Sequence, residues 1–566
     1  MKKFVTGLLF FSIALVLLGQ WQPDDPAKKE IYSRLYGIVE YLAADSLEGR
    51  ESGTKGEILA RDFIVNQFKE IGVDSYFPDG SYYKEFSFSS SHKYSPESRI
   101  SIGKTSYFIE NDFTVVSYFG RFSSKSKTQY VGNGLVIPEE GIDDYQIFEV
   151  KDLKDKVFLI DVAFPKSYSF ITEDNYYQIV QEIIYTAIQK GAAIIILYQS
   201  HEKGICFHRN SFFQNSRKGI PVFFAEGNFR KQMMKGGEEE LVFQILSNRD
   251  PLTSYNVAAV INNNAPTTIV IGGHYDHLGY GSFNSRHVGP PMLHPGADDN
   301  ASGIAVMLEI ARYVKSAGLN NHNYVFAAFG AEEKGLIGSK AFVEDSICNI
   351  DNVIAMINLD MVGRLDSASR KLNVLGTGSS AKWDSLLNVA FNPNIDLNRN
   401  PSGTGGSDQM YFFMKDIPVL FFITGIHRDY HTPSDVLEKV NFSGMLDITV
   451  FVTNLLHHLN NVSHLPFVEG ENKEQLVDRS YTRGVTLGVI PDHTFGGKGM
   501  RIDDVFPGRN ADMAGIKTGD IIVAIDQHEV SDLTTYMKAL SNFGAGASAD
   551  VKIIRGTEEF VIKVTF

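Results

Sequence analysis

The residues best able to do chemistry in this chain are histidines and carboxylates standing directly after short apolar runs. TTIVIGGHYDHLGYG begins at Thr267, and His274 and Asp276 follow its apolar run. NYVFAAFGAEEKG places Glu332 and Glu333 after a second run, NVIAMINLDMVGR places Asp360 after a third, and PVLFFITGIHRDYHTPSD places His427 and His431 after a fourth. Each run has the length and the β-branched or aromatic content of a buried strand. Between the first two runs, HPGADDNASG puts Asp298, Asp299 and Asn300 where a helix should begin, because Ile304, Met307, Leu308, Ala311 and Val314 then recur at helical spacing. Strand, acidic turn, helix and strand again is the order by which an α/β protein collects ligands outside the carboxyl ends of its strands. Two imidazoles with three carboxylates suit a pair of zinc or similar divalent ions. Calcium fits poorly, since the loops lack alternating oxygen donors.

Any one of these pairs has a simpler reading. Asp298–Asp299 alone would be helix capping, and Glu332–Glu333 alone a solvated turn. Their coincidence at strand and helix ends favours the metal reading. In an extended segment His274 and Asp276 project to one side, so the carboxylate can orient the imidazole, although such carboxylates sometimes reach across the loop instead. A metal-bound water has its pKa lowered to roughly 7, and a neighbouring carboxylate that is not a ligand can shuttle its proton.

Together, GGHYDHLG, HPGADDNASG, GAEEKGLIGS, NLDMVGR and DYHTPSD resemble the co-catalytic di-zinc aminopeptidases, the group that includes glutamate carboxypeptidases and the transferrin receptor. The resemblance implies that His274 and Asp360 hold one metal, that Glu333 and His431 hold the other, and that Asp298 bridges them. It makes Glu332 the general base and Asp276 the partner of His274. His277, His287, His294 and His427 fall outside the ligand set. By the same resemblance the expected activity is removal of N-terminal residues from peptides with a free amino end, by attack of a metal-bridging water, with two divalent ions, Zn2+ by preference. The alternatives on this fold are a carboxypeptidase-type relative, a metal-free binding protein and a glutaminyl cyclase. No Arg cluster is evident for the first, and no ligand is lost as the second would require.

The expected fold is α/β, a zinc-exopeptidase-type mixed sheet flanked by helices and carrying two further units. Residues 1–20, with Lys2 and Lys3 before an apolar run from Phe4 to Leu18, read as a signal peptide. The run is shorter than the roughly 20 residues that span a bilayer, so the expectation is export without a lasting membrane anchor, to the periplasm or the exterior. Residues 21–118 read as the N-terminal part of the catalytic domain. There helical stripes at Ile31–Leu42 and Gly56–Ile71 flank YLAADSLEGRESGTKG, whose Arg50 and Gly53 read as loop packing, and strands follow near Arg99–Ser117. Residues 119–249 resemble a protease-associated (PA) domain, in KDLKDKVFLIDV, KGAAIIILYQ and GIPVFFAEGNF, and read as a lid or a packing module. Residues 250–466 complete the catalytic domain, in which Ser407 and Asp408 are lesser site candidates and Gln409 stands where the family usually has His. Arg364 reads as a substrate contact or as the partner of an acidic neighbour. After a linker at 467–483, residues 484–566 resemble a PDZ domain in PGRNADMAGIKTGDIIVAIDQHEV. Leu487, Gly488 and Val489 would form its strand edge and Tyr536, Met537 and Leu540 its helix wall, for an extended peptide ligand.

A net charge of −14 argues against a nucleic-acid partner, which would demand a basic face. The only cysteines, Cys206 and Cys348, are far apart and read as unpaired thiols, although export would permit a disulfide.

Overall fold

The computed structural model describes residues 26–566 apart from short internal stretches at 90–92, 117–119, 173–174, 202–219, 249, 282–284, 288, 346–349, 404–405, 469–484, 486, 492–494, 496, 506–509, 532 and 544–546. The segment read as a signal peptide, both cysteines and nearly all of the linker therefore lie outside the described residues.

The chain enters through helix α1 (Pro26–Leu42), whose Leu35, Ile38, Val39 and Leu42 form one buried stripe. Helix α2 (Lys55–Ile71) ends at Gly72, a left-handed cap whose N–H reaches the carbonyls of Phe68 and Lys69. A nine-stranded sheet then carries the site. At its centre β1 (Pro251–Ile261), β2 (Thr268–His274), β3 (Asn323–Phe329), β4 (Val353–Leu359) and β5 (Val419–Ile423) lie in the order β1-β3-β2-β4-β5. β3, β2, β4 and β5 are mutually parallel, whereas β1 runs antiparallel to β3. Strands β2 to β5 are largely apolar and buried because both faces are covered, whereas the first half of β1 is polar and partly exposed. Helices α1, α3 (Gly303–Ala317) and α4 (Phe442–Leu459) pack on one face, and Phe342, Phe412 and Phe413 belong to the cluster on the other. Arg34 of α1 grips Glu309 of α3 with two nitrogens at 2.8 Å, so the buried carboxylate keeps a partner.

The strand readings fall within a few residues of these bounds. The parallel pairing brings the four carboxyl ends to one edge, His274 standing opposite Phe329 in register.

A separate eight-stranded sheet forms the inserted unit. Its parallel centre (Phe122–Tyr130, Val157–Asp161, Ile194–Tyr198 and Val222–Ala225) packs on the helix Tyr176–Gln189. The boundary at 119 needs correction. Strands Arg99–Ile102, Thr105–Phe108 and Phe113–Val115, assigned above to the catalytic part, pair into this sheet. Arg99–Ile102 pairs with Glu240–Ile245 and with Thr105–Phe108, and Phe113–Val115 pairs with Val222–Ala225, so the insertion begins before Arg99.

The C-terminal unit is a separate sheet built from Val489–Pro491, Met500–Val505, Ile521–Ile525, Ser548–Arg555 and Glu558–Thr565, with helix Leu533–Ser541 against it. Leu487, Tyr536 and Leu540 are buried in its core, whereas Met537 is exposed. Of the three side chains expected to wall a groove, only Met537 faces solvent. No helix among the described residues is long and apolar enough to cross a membrane.

Candidate metal centre

The site is assembled by Asn300, a residue the sequence reading placed only at a helix start. Its Nδ2 donates to the carbonyls of His274 (3.2 Å) and Leu359 (2.9 Å), while its Oδ1 accepts from the N–H groups of Met361 (3.1 Å) and Gly303 (3.0 Å). One side chain thus fastens the ends of β2 and β4 to the start of α3. Gly273 permits the approach, since a Cβ there would lie 2.4 Å from the Leu359 carbonyl oxygen.

Two groups of donor atoms result. His274, Asp299 and Asp360 form one, and His277, Asp299 and Glu333 the other. His274 Nε2 lies 3.2 Å from Asp360 Oδ1 and 3.3 Å from Asp299 Oδ1. On the far side of Asp299, Oδ2 lies 3.2 Å from His431 Nε2, which is itself 3.3 Å from Glu333 Oε2. Asp299 therefore stands between the halves, with one oxygen toward each.

This corrects the expected role of Asp298. Its carboxylate turns away and accepts from the Gly363 N–H (2.6 Å) and the Ser302 hydroxyl (3.0 Å), with His427 Nε2 at 3.1 Å. The cause is local backbone. Asp299 and Asn300 have non-helical dihedrals (φ −102°, ψ 96° and φ −129°, ψ 42°), so adjacent aspartates project to different sides. Asp435 holds this turn by accepting from the N–H groups of Asp298 and Asp299 at 3.0 Å each.

Asp276 also differs from expectation. Its carboxylate stays 3.8 Å from His274 Nδ1, whose partner at 3.1 Å is the Asp276 carbonyl oxygen. The carboxylate instead accepts from Ser52 Oγ (2.8 Å) and from the Glu332 N–H (3.0 Å), fixing the turn that carries the acidic pair. His274 is still oriented by residue 276, but through its backbone.

Glu332 sits beside the two groups and belongs to neither. Burial first, and then the carboxylates of Glu333, Asp360 and Asp408, push it well above the usual carboxylate range, against the opposing pull of His274. Ser407 donates to Asp360 Oδ2 at 2.7 Å and accepts from Asn358 at 2.8 Å. Its side chain aims the Asp360 carboxylate. Asp408 is fully buried, and burial pushes it up to about 7 against the opposing pull of His274 and a contact with Ser339. Gln409 accepts from Asn358 and plays a packing part. Arg364 pairs with Asp429 at 2.5 Å, the neighbour alternative of the two readings.

Arg50 is the buried counterweight. Its guanidinium donates to the carbonyls of Leu42, Tyr275 (2.9 Å), Pro295 (2.7 Å) and Gly296 (2.9 Å), stapling the N-terminal loop to the turn before Asp298. The loop-packing reading of Arg50 agrees with this. Burial lowers it to about 10, against the favourable field of Asp299, Asp276, Asp435 and Glu333.

The donor set fits divalent cations. Asp299, Glu333 and Asp360 are buried within reach of imidazoles, and Asp299 Oδ2 lacks a directed hydrogen bond. Such a concentration of buried carboxylate needs positive charge beyond one guanidinium. Mixed imidazole and carboxylate donors suit zinc.

Residues 256–456 match the model of Peptidase family M28. Residues 475–565 match that of a PDZ domain. Among curated relatives, Aminopeptidase YwaD of Bacillus subtilis is 29% identical over 260 residues, covering 44% of this chain and 53% of the relative. Leucine aminopeptidase 2 of Arthroderma otae is 23% identical over 247 residues, covering 38% of this chain and 47% of the relative. The chain thus spans about half the length of these relatives. A solved zinc aminopeptidase from Bacillus subtilis aligns over 76% of this chain and 95% of its own, at 23% identity and a TM-score of 0.47. The M28 match covers the segment from β1 to α4, which bears every ligand candidate, and supports a peptidase of the hydrolase class.

Proposed function

We propose that the chain is a metal-dependent exopeptidase of the aminopeptidase type. The carrying observation is the disposition of Asp299, one oxygen facing His274 and the other His431, with Glu332 alongside. In this reading His274 and Asp360 hold one divalent ion, Glu333 and His431 the other, and Asp299 is shared; zinc suits these donors best. When bound, the ion pair supplies Lewis acidity toward the scissile carbonyl and a water of lowered pKa.

The remaining work falls to the chain. Glu332, whose N–H is held by the Asp276 carboxylate, would act as the general base, accepting a proton from the attacking water and returning it to the leaving amine. Ser407 keeps Asp360 in its ligating orientation, and the Asp276 carbonyl keeps the proton of His274 on Nδ1, leaving Nε2 for the ion. The acidic surroundings favour a protonated peptide N-terminus. The names of the relatives support N-terminal polarity.

The inserted unit reads as a protease-associated domain that forms one wall of the approach to the site. Tyr177, on its helix, lies beside Gly289 in the loop that follows β2. The C-terminal unit reads as a peptide-binding PDZ domain, and the N-terminal 20 residues as an export signal, which puts the mature chain outside the cytoplasm.

The test is mass-spectrometric mapping of cleavage in a mixed peptide library, with Glu332→Ala as control. Loss of single N-terminal residues, absent in the variant, supports the reading. Trimming from the carboxyl end would overturn the polarity and keep the metal site.

A further inference from the structure

Among the described residues, His277 is the imidazole in the two donor groups that the five-ligand set leaves without a role. It is fully buried, and its Nδ1 lies 2.9 Å from Glu333 Oε1 and 3.7 Å from Asp299 Oδ2. Its ring centroid is 5.9 Å from that of His431. The nitrogen therefore borders the space already enclosed by Asp299, Glu333 and His431. Separations of this size match those of the other facing donors, 3.2 and 3.3 Å from His431 Nε2 to Asp299 and Glu333. Two atoms each about 2.1 Å from one zinc ion in tetrahedral array stand a little over 3 Å apart.

The fold holds this ring in place. The His277 N–H donates to the Arg50 carbonyl at 3.2 Å. Gly296, at φ +60°, lies flat against the ring, and a Cβ there would meet His277 Cδ2 at 2.5 Å and Cγ at 2.6 Å. Arg50 fixes Gly296 through its carbonyl, so a single guanidinium braces the ring and the turn leading to Asp299. His277 Nε2 is buried with no hydrogen-bond partner, which leaves Nδ1 as the nitrogen turned toward polar groups.

We propose that His277 Nδ1 is a further ligand of the ion held by Glu333 and His431. This rests on the two-ion reading above and makes the two ions unequal. One has a single imidazole, His274, with Asp360 and shared Asp299. Its neighbour has two imidazoles, Glu333 and the same Asp299, a softer donor set that retains zinc more tightly. Loading is then stepwise, the His277 side filling first.

Zinc X-ray absorption on the full chain loaded with two equivalents reads the imidazole count without any substitution. Three imidazoles shared by two ions give about 1.5 per zinc, whereas two give about 1.0. In parallel, competition with a chromophoric chelator reads each affinity for the wild type and for His277→Asn, which keeps a polar group beside Glu333. The expected result is a count near 1.5 and at least a roughly tenfold loss at the tighter site in the variant, with the weaker site unchanged. A count near 1.0 in the wild type, or unaltered affinities in His277→Asn, overturns the assignment while leaving the two-ion reading intact. A wild type that binds fewer than two zinc ions overturns both.

Discussion

Two adjacent aspartates divide the labour at this centre, and the division yields the sharpest contrast by substitution. Asp299→Asn removes the shared carboxylate and should cost most of the zinc content together with activity. Asp298→Asn should leave zinc in place and lower the melting temperature, because it weakens the anchor on Gly363 and Ser302. Elemental analysis and thermal melts on the two proteins check the pair. Glu332→Gln is a third case, with zinc retained and kcat reduced about 10²–10⁴-fold as expected for a lost proton shuttle. The spacing of the motifs marked which short stretches bring donor side chains together but not which of two neighbouring carboxylates faces the other donors. That choice depends on the dihedrals at Asp299 and Asn300, which only the contacts of Asn300 and Asp435 determine. The contact of the Asp276 carboxylate with the Glu332 N–H leaves no local pattern for a related reason, since it crosses between strands β2 and β3.

At the scale of elements, the four parallel strand ends were legible because continuous apolar runs followed by charged residues have few other uses. The strands between Arg99 and Val115 were visible as strands but assigned to the wrong sheet. Pairing partners more than a hundred residues away leave no local pattern. The junction of helix α2 with the sheet supplies a pH prediction. Glu57 of α2 is buried and accepts from Ser254, Tyr275 and the Gly53 N–H. Burial pushes it up to about 7, and the hydrogen bonds only partly oppose this. The unfolded value is about 4.3, so the folded chain holds this proton more tightly than the unfolded chain does. The contribution of the neutral carboxyl to stability is full below about pH 4.3 and is lost as pH rises through about 7. Melting temperature should fall across that window in the wild type, and less steeply in Glu57→Gln.

Across the whole molecule, the nine-stranded sheet carries the candidate ligands while the inserted unit and the C-terminal unit carry none of them. Stability should be linked to metal through the catalytic part alone. Free zinc at about 100 times its Kd stabilises the folded state by about 2.7 kcal/mol, so calorimetry should show one transition moving upward with zinc and the transition of the C-terminal unit staying fixed. Metal dependence and action at peptide amino termini are tested together by titrating the chelator-stripped protein with zinc. Amino-acid release is followed from a short peptide and from its N-acetylated twin. The expected result is no activity without metal, a rise that saturates at two equivalents, and release only from the peptide with a free amino end. Activity that survives metal removal, or equal cleavage of the acetylated peptide, would contradict it.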